Sequence, residues 1–277
     1  MINLDEKWHY QIDEPILQIE IGDINNNGQN EIIAVSKSGR LLILSLTGKA
    51  LADKNITEKS SIWKVEVRDI DNDNKNEIIL GGLDGILRVF KCNSSYELEP
   101  FWEHQFGASI SDFFVSDINN DNVNEIIAYS IDNSIRVLNS LDGSLIWGQL
   151  FEDGIGNAIV WQDPSEPALK EVIAAGNDGT VRIFKGMDGD LLWFKRYTDK
   201  IRCVSLFKSN GKEFIVYVIY IYSLGLILLL PFLISDYAGT VFFVLSDVLL
   251  GFKIKQFKKI TFPLYYASLV CIIYFLD

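Results

Sequence analysis

Four stretches of this 277-residue chain repeat one pattern: DINNNGQNEII from Asp23, DIDNDNKNEII from Asp69, DINNDNVNEII from Asp117 and the eroded DPSEPALKEVI from Asp163. They begin 46 to 48 residues apart, a period that reads as a blade-by-blade β-architecture. Between them, apolar residues alternate (Leu17, Ile19, Ile21) or run together (Ile32, Ile33, Ala34, Val35), and turn residues cut the runs at short intervals. That is the pattern of meandering strands. Ser38-Gly39, Asp84-Gly85, Asp132-Asn133 and Asp178-Gly179 form one set of turns, and Thr47-Gly48, Asp142-Gly143 and Asp188-Gly189 form a second. All are residue types that tolerate the positive φ of tight hairpins. A fourth strand is expected around Trp8, Trp102 and Trp147, each 15 or 16 residues before the Asp that opens the next loop. The expected fold is therefore all-β: a β-propeller of four-stranded antiparallel blades, with four clear repeats and a disrupted fifth. In this reading the Trp8 strand pairs with the last blade and closes the ring, removing two exposed sheet edges.

The fifth unit breaks the pattern. Residues Ser205 to Tyr217 resemble a loop and second strand, and Ala238 to Phe243 resemble the third strand that follows Gly179, but Glu213 and Gly239 lie 26 residues apart where other repeats have eight. Two regions follow: residues 1–213 as propeller repeats and residues 214–277 as an apolar segment. Candidate membrane spans cover about 214–235, 237–252 and 260–276, and only the first comfortably meets the length a helix needs to cross a bilayer. Basic residues at Arg196 to Lys212 and Lys253 to Lys259 would lie on the cytoplasmic side, placing the repeats there too. Two alternatives stand beside the membrane-associated reading: a soluble cytoplasmic protein whose fifth blade carries an apolar insertion, and a degraded tail replacing further blades.

With 48% hydrophobic residues the chain can bury a core, and a net charge of −12 excludes nucleic acid as a partner of the repeats. Cys92, Cys203 and Cys271 have no metal-ligand spacing, so neither zinc nor a disulfide framework is expected. The first residues lack a charged region followed by an apolar core, so no cleavable secretory signal is expected.

The repeated loops carry the chemistry. The second copy alternates Asp69, Asp71 and Asp73, offers the Lys75 carbonyl at position seven and ends on Glu77, the kind of oxygen set that wraps a hard cation such as Ca²⁺. The first copy offers Asp23, Asn25, Asn27 and Glu31, and the third Asp117, Asn119, Asp121 and Glu125. Position six needs positive φ, which Gly28, Asn74 and Asn122 accept. Formal side-chain charges of −2, −4 and −3 in chain order predict the tightest binding at the second loop and the weakest at the first. The fourth copy, with Ser165, Glu166 and Pro167, is expected to hold no ion. Up to three structural Ca²⁺ ions result. The competing reading is that Asp and Asn make Asx-turns and bind nothing. It leaves the recurrence of Glu at position nine without a reason unless that Glu is merely solvated at a strand start.

At these residues the chain resembles the FG-GAP or VCBS-like repeats of integrin-α-type propellers, over about residues 15 to 195. The resemblance implies side-chain ligands at positions one, three, five and nine, and a carbonyl at position seven, here Gln29, Lys75 and Val123. The chain departs from that family in having Glu at position nine and no Phe-Gly…Gly-Ala-Pro segment. Two weaker likenesses accompany it. LDGSLIW and MDGDLLW are similar to WD40/PQQ-like quinoprotein repeats, and NEIILGGLDGILRVF is similar to the propellers of the Bardet-Biedl complex. Neither brings a cofactor residue. His9 and His104 assemble no catalytic set, and six tryptophans recurring about once per unit are expected to pack between blades. The expected function is a calcium-binding scaffold that is not an enzyme, that binds a protein or glycan partner, and that is tethered to a membrane through residues 214–277. An incomplete ring would favour oligomers. The alternatives are a quinoprotein-like or polysaccharide-active enzyme, and a fragment of a longer propeller.

Overall fold

The computed structural model describes residues 6–162, 170–209, 212–221, 240–245 and 268–275, and the strands among them form five four-stranded antiparallel sheets. The chain divides into two compact units, Met1–Leu150 and Phe151–Asp277. In the first unit, β1 (Ile16–Gly22), β2 (Glu31–Ser36), β3 (Arg40–Ser45) and β4 (Ala50–Asn55) form one meander. The second is β5 (Ile62–Arg68), β6 (Glu77–Gly82), β7 (Ile86–Cys92) and β8 (Leu98–Gln105), and the third is β9 (Ile110–Ser116), β10 (Glu125–Ser130), β11 (Ser134–Asn139) and β12 (Leu145–Leu150). In the second unit, β13 (Ile155–Gln162), β14 (Lys170–Gly176), β15 (Thr180–Lys185) and β16 (Leu191–Arg196) repeat the meander. These are propeller-type blades, one per sequence repeat.

The turns form where their residues allow. Gly39, Gly85, Asn133 and Gly179 link second to third strands, Gly48, Gly143 and Gly189 link third to fourth, and all have positive φ. A β-bulge recurs near the start of every first strand, as between Ile16 and Gln18 or Ile62 and Lys64, and another in the third-to-fourth pairing of the first four sheets. Each bulge adds local right-handed twist, which gives a blade its propeller shape.

The fifth sheet departs from the expected order. Its strands are β17 (Ile201–Ser209), β18 (Lys212–Ile221), β19 (Thr240–Leu245) and β20 (Ser268–Phe275), arranged β17-β18-β20-β19. The stretch beginning near Ala238 is therefore the outer strand, and Ser268–Phe275 takes the third place, pairing with β18 on one side and β19 on the other. The expected membrane spans fall partly on this sheet. Their described parts, 214–221, 240–245 and 268–275, are strands in this sheet, and among the described residues no helix is long and apolar enough to cross a membrane. An unbroken apolar run satisfies a strand covered on both faces as well as it satisfies a helix. The remainder of the three spans lies outside the described residues.

The Trp8 strand is also corrected. The described residues before β1 form no strand, and Trp8 packs on the first sheet: its Nε1 donates to the Leu46 carbonyl at 2.9 Å, and Ile12 and Ile16 join it over Ala34, Leu42 and Leu44. Farther along that face, Ile19 and Ile21 are each 57% exposed, whereas Val65 and Phe113, the equivalents of Ile19 on β5 and β9, are fully buried.

Consecutive sheets of a unit share a core built by alternation. Ile33, Val35, Leu41 and Ile43 meet Ile62, Val65, Ile78 and Leu80 between the first two sheets, and Ile79, Leu87 and Val89 meet Ile110, Phe113 and Ile126 between the next two. In the second unit, Ile173, Ala175 and Val181 meet Ile201, Val204 and Ile215. An indole clasp supplements this packing. Trp102 of the second sheet lies on the third sheet's turn, where its Nε1 donates to the Ser140 carbonyl at 2.7 Å and a Cβ added to Gly143 would fall 2.5 Å from the ring. Trp8 repeats the contact on Gly48. Where β4 has Ala52 at the register of Trp102, the facing turn carries Tyr96, not glycine, at φ 61°. The clasp is thus a matched pair, indole with glycine.

His104, next to that clasp, has a defined tautomer. Its Nδ1 faces the Gly143 carbonyl at 2.9 Å and must donate, while Nε2 faces the Arg136 guanidinium at 3.2 Å and must accept. Burial, with Arg136 adding, lowers its pKa against the pull of the Gly143 carbonyl.

Two outcomes follow from this packing. Gly143→Ala should lose on the order of 2 kcal/mol of stability in urea unfolding, and clearly more than Gly28→Ala, which also has a positive φ but has open space around it. An equal loss at the two glycines would exclude the clasp. For His104 the folded-state pKa is depressed, so its stabilising contribution is present above the unfolded value of about 6.5 and is lost as pH falls through the folded value. Thermal melts should show the wild type losing more stability than His104→Gln as pH drops below about 6.5, and parallel curves would contradict this.

Candidate metal centre

Each of the first three repeat loops connects the first and second strands of a sheet. Two residues per loop take the left-handed conformation: Asn26 and Gly28, Asn72 and Asn74, Asn120 and Asn122. Position six was legible in the sequence, whereas position four was not. Alternate side chains hold this path by accepting backbone N–H groups two residues on, as Asp71 Oδ1 does from Asp73 (3.2 Å), Asp73 Oδ1 from Lys75 (2.8 Å) and Asn27 Oδ1 from Gln29 (2.8 Å). Position one closes the ring: Asp23, Asp69 and Asp117 accept the N–H of Gly28, Asn74 and Asn122 at 2.7, 2.9 and 3.0 Å. Asx residues are the types that do this.

The ninth-position glutamate has a structural role that sequence reasoning missed. Glu31, Glu77 and Glu125 are all buried, and each accepts the N–H of the equally buried isoleucine at position two: Ile24 at 3.2 Å, Ile70 at 3.0 Å and Ile118 at 2.8 Å. These glutamates are not solvated at strand starts. A buried N–H left unpaired costs roughly 1–3 kcal/mol, and the carboxylate removes that penalty from within the loop. The other oxygen, Oε1, faces a different group in each loop. Tyr96 OH reaches Glu31 at 3.2 Å, Asn119 Nδ2 reaches Glu125 at 3.0 Å and Asp121 Oδ2 at 3.0 Å, and Lys91 Nζ lies 3.4 Å from Glu77. Burial pushes Glu31 up, against the hydrogen bonds from Ile24 and Tyr96, and pushes Glu77 up to about 7, with Asp71 and Asp73 adding to the rise.

The second loop alone, among the described residues, gathers three carboxylates. Ligand oxygens of Asp69, Asp71 and Glu77 lie within 4.8 Å of one another, and the buried Asp69 Oδ1 and Glu77 Oε1 accept no hydrogen bond from the described residues. Those oxygens suit a divalent ion in hardness and spacing. Lys91 of β7, however, already lies among them, with Nζ 2.7 Å from Asp71 Oδ2 and 3.1 Å from Asp73 Oδ2. Burial lowers the Lys91 pKa, but its hydrogen bonds to Asp71 and Asp73 outweigh that and hold it above the usual lysine range, so the ammonium is charged. The position-seven residues Gln29, Lys75 and Val123 offer their N–H groups inward to position five in every loop. Of the fourth copy, residues 163–169 lie outside the described residues, and Glu171 is buried like its equivalents.

The loops also join one sheet to the next, through asparagines that sequence reasoning passed over. Position eight donates to the carbonyl of position one in the preceding loop, Asn76 Nδ2 to Asp23 at 2.9 Å and Asn124 Nδ2 to Asp69 at 3.1 Å. Asn26 Oδ1 accepts from the Asn76 N–H at 2.9 Å, and Asn72 Nδ2 donates to the Asn122 carbonyl. The signal was present in the sequence: Asn stands at position eight of the first three copies, Asn30, Asn76 and Asn124, and Lys170 replaces it in the fourth.

With the fold and loops in view, comparisons with known proteins point away from the expected kinship. A family model described as KICSTOR complex protein kaptin matches residues 47–142. No curated protein matches the chain. Among solved structures, two crystals of BBS1N in complex with ARL6DN match with TM-scores of 0.52 and 0.54 at 15% and 13% identity, covering 79% and 78% of this chain and 64% and 66% of those chains. The chain thus spans just under two thirds of the BBS1N chains. The computationally designed Ika8 protein matches with a TM-score of 0.54 at 15% identity, over 94% of this chain and 71% of that one. The C-terminal WD40 domain of Sif2 matches with a TM-score of 0.50 at 18% identity, covering 76% and 55%. These likenesses establish the fold. They overturn the FG-GAP or VCBS resemblance and its integrin-α-type ancestry, since the matching family is kaptin and the neighbours are BBS1 and WD40 propellers. The physical reason lies in the loop: a chain that turns through two left-handed residues needs Asx side chains at alternate positions whatever its ancestry.

Removing a ninth-position carboxylate should be costly. Glu31→Ala, which strands Ile24 N–H and Tyr96 OH, is expected to lose roughly 1–3 kcal/mol in urea unfolding, and Glu31→Gln, which keeps an acceptor oxygen, less. A loss no larger than that of the exposed Glu58→Ala would contradict the assigned role.

Proposed function

We propose that this chain is a non-enzymatic β-propeller scaffold that docks another protein along the outer edges of its blades. The observation that carries the reading is β16, the edge strand of its sheet: all six residues, LLWFKR, are exposed, with Leu191, Leu192 and Phe194 at 50, 52 and 58%. In the first unit, β12 is likewise a sheet edge and exposes Leu145, Ile146 and Leu150. Contiguous exposed apolar residues on an edge strand suit a partner that lays an extended apolar segment alongside. Clustered aliphatic and aromatic side chains also suit the centre of an interface.

Two likenesses support protein partners over glycans. The matching family is a component of the KICSTOR complex, and the BBS1N structures hold that propeller in complex with ARL6DN. The calcium brace expected from the sequence is no part of this reading, because docking along β16 needs no ion.

The test is quantitative affinity purification of the tagged full chain against a Leu192→Asp/Phe194→Asp variant. The wild type is expected to retain a stoichiometric protein partner that the variant loses, at an unchanged thermal midpoint. A wild type that retains no stoichiometric partner, or a variant that retains the same one, would overturn the proposal.

A further inference from the structure

We propose that Lys91 is the resident cation of the second loop: a covalently tethered ammonium takes the place that a divalent ion would hold, and the loop admits calcium only when that side chain is removed. Four observations converge. First, Nζ lies within 2.7 to 3.4 Å of oxygens from Asp71, Asp73 and Glu77, three of the four acids in the loop. Second, Lys91 immediately follows Phe90, the partner of Ile78, so it stands across the β6–β7 ladder from Glu77 and projects to the loop without leaving the sheet. Third, the ammonium lies 4.7 Å from the centroid of the Phe101 ring, a cation–π contact that holds it over the carboxylates. Fourth, the equivalent positions in the neighbouring sheets, which pair with Glu31 and Glu125, are the neutral Ser45 and Asn139.

Charge explains the distribution. The second loop is the most acidic, carrying Asp69, Asp71, Asp73 and Glu77, and like charges a few ångströms apart raise the cost of ionising all of them. The first and third loops carry fewer acids, and their ninth-position carboxylates are met by the neutral donors Tyr96 and Asn119. The expected ranking of ion affinities therefore reverses at its top: the loop with the most carboxylates holds its own counter-charge. The inference goes beyond the docking proposal, since neither Lys91 nor its partners lie on β12 or β16.

The experiment is calorimetric titration of the full chain with CaCl₂, paired with thermal melts in chelator and in millimolar Ca²⁺. Wild type and Asp71→Asn should bind the same number of ions, because the second loop contributes none. Lys91→Met should melt lower than wild type in chelator, recover with Ca²⁺, and bind one more ion per chain than wild type. Adding Asp71→Asn to Lys91→Met should abolish the gain. Lys91→Arg, which keeps the charge, should stay insensitive to Ca²⁺. Loss of one bound ion from wild type on Asp71→Asn would overturn the proposal, as would a folded Lys91→Met that gains no ion. Should Lys91→Met fail to fold, the wild type against Asp71→Asn comparison still decides.

Discussion

A buried carboxylate accepting a buried backbone N–H is the interaction on which the three loops depend. The left-handed turns at positions four and six swing the chain so that the N–H of position two points inward, away from solvent and from any ladder partner. Only a side-chain acceptor arriving from the start of the next strand can satisfy it, and glutamate has the length to do so. The same residue begins the second strand and pairs across the ladder, as Glu31 does with Gly22 and Ser45. One side chain therefore closes the loop and fixes the register of the sheet. Burying a charge of this kind is costly unless it is hydrogen-bonded or paired, and at the other oxygen Glu31 meets Tyr96, Glu125 meets Asn119 and Glu77 faces the Lys91 ammonium.

From that closed loop the rest of a unit can be assembled. With its path fixed, a loop presents its asparagines outward, and these reach the preceding loop to stitch sheet to sheet. The inter-sheet cores of branched aliphatics then supply most of the burial, while the indole clasp and the Asp–Arg pairs beside the turns, Asp84–Arg88, Asp132–Arg136 and Asp178–Arg182, orient the outer strands. Exposed apolar side chains remain on two edge strands, Leu145 and Ile146 on β12 and Leu191, Leu192 and Phe194 on β16.

Much of this architecture was legible in the sequence because it follows local rules. Alternation, turn dipeptides and the repeat period announced the four-stranded meanders, and Asn74 and Asn122 announced their left-handed φ. The features that stayed hidden involve residues distant in sequence. Lys91 looks like any strand lysine until β6 and β7 pair and bring it onto the second loop, and Tyr96 reaches Glu31 from 65 residues away. Apolar character alone does not distinguish a strand from a helix, and 214–221, 240–245 and 268–275 are strands. Glycine and tryptophan were visible separately, but their pairing across sheets was not.

Amide hydrogen exchange measured residue by residue tests the central claim most directly. Ile24, Ile70 and Ile118 lie in loops, where amides ordinarily exchange through local opening at little free-energy cost. If the ninth-position carboxylates hold them, these three amides should exchange as slowly as the core ladder of β2, β6 and β10, and Glu31→Ala should release Ile24. Exchange of all three at the rate of their exposed loop neighbours would contradict the account.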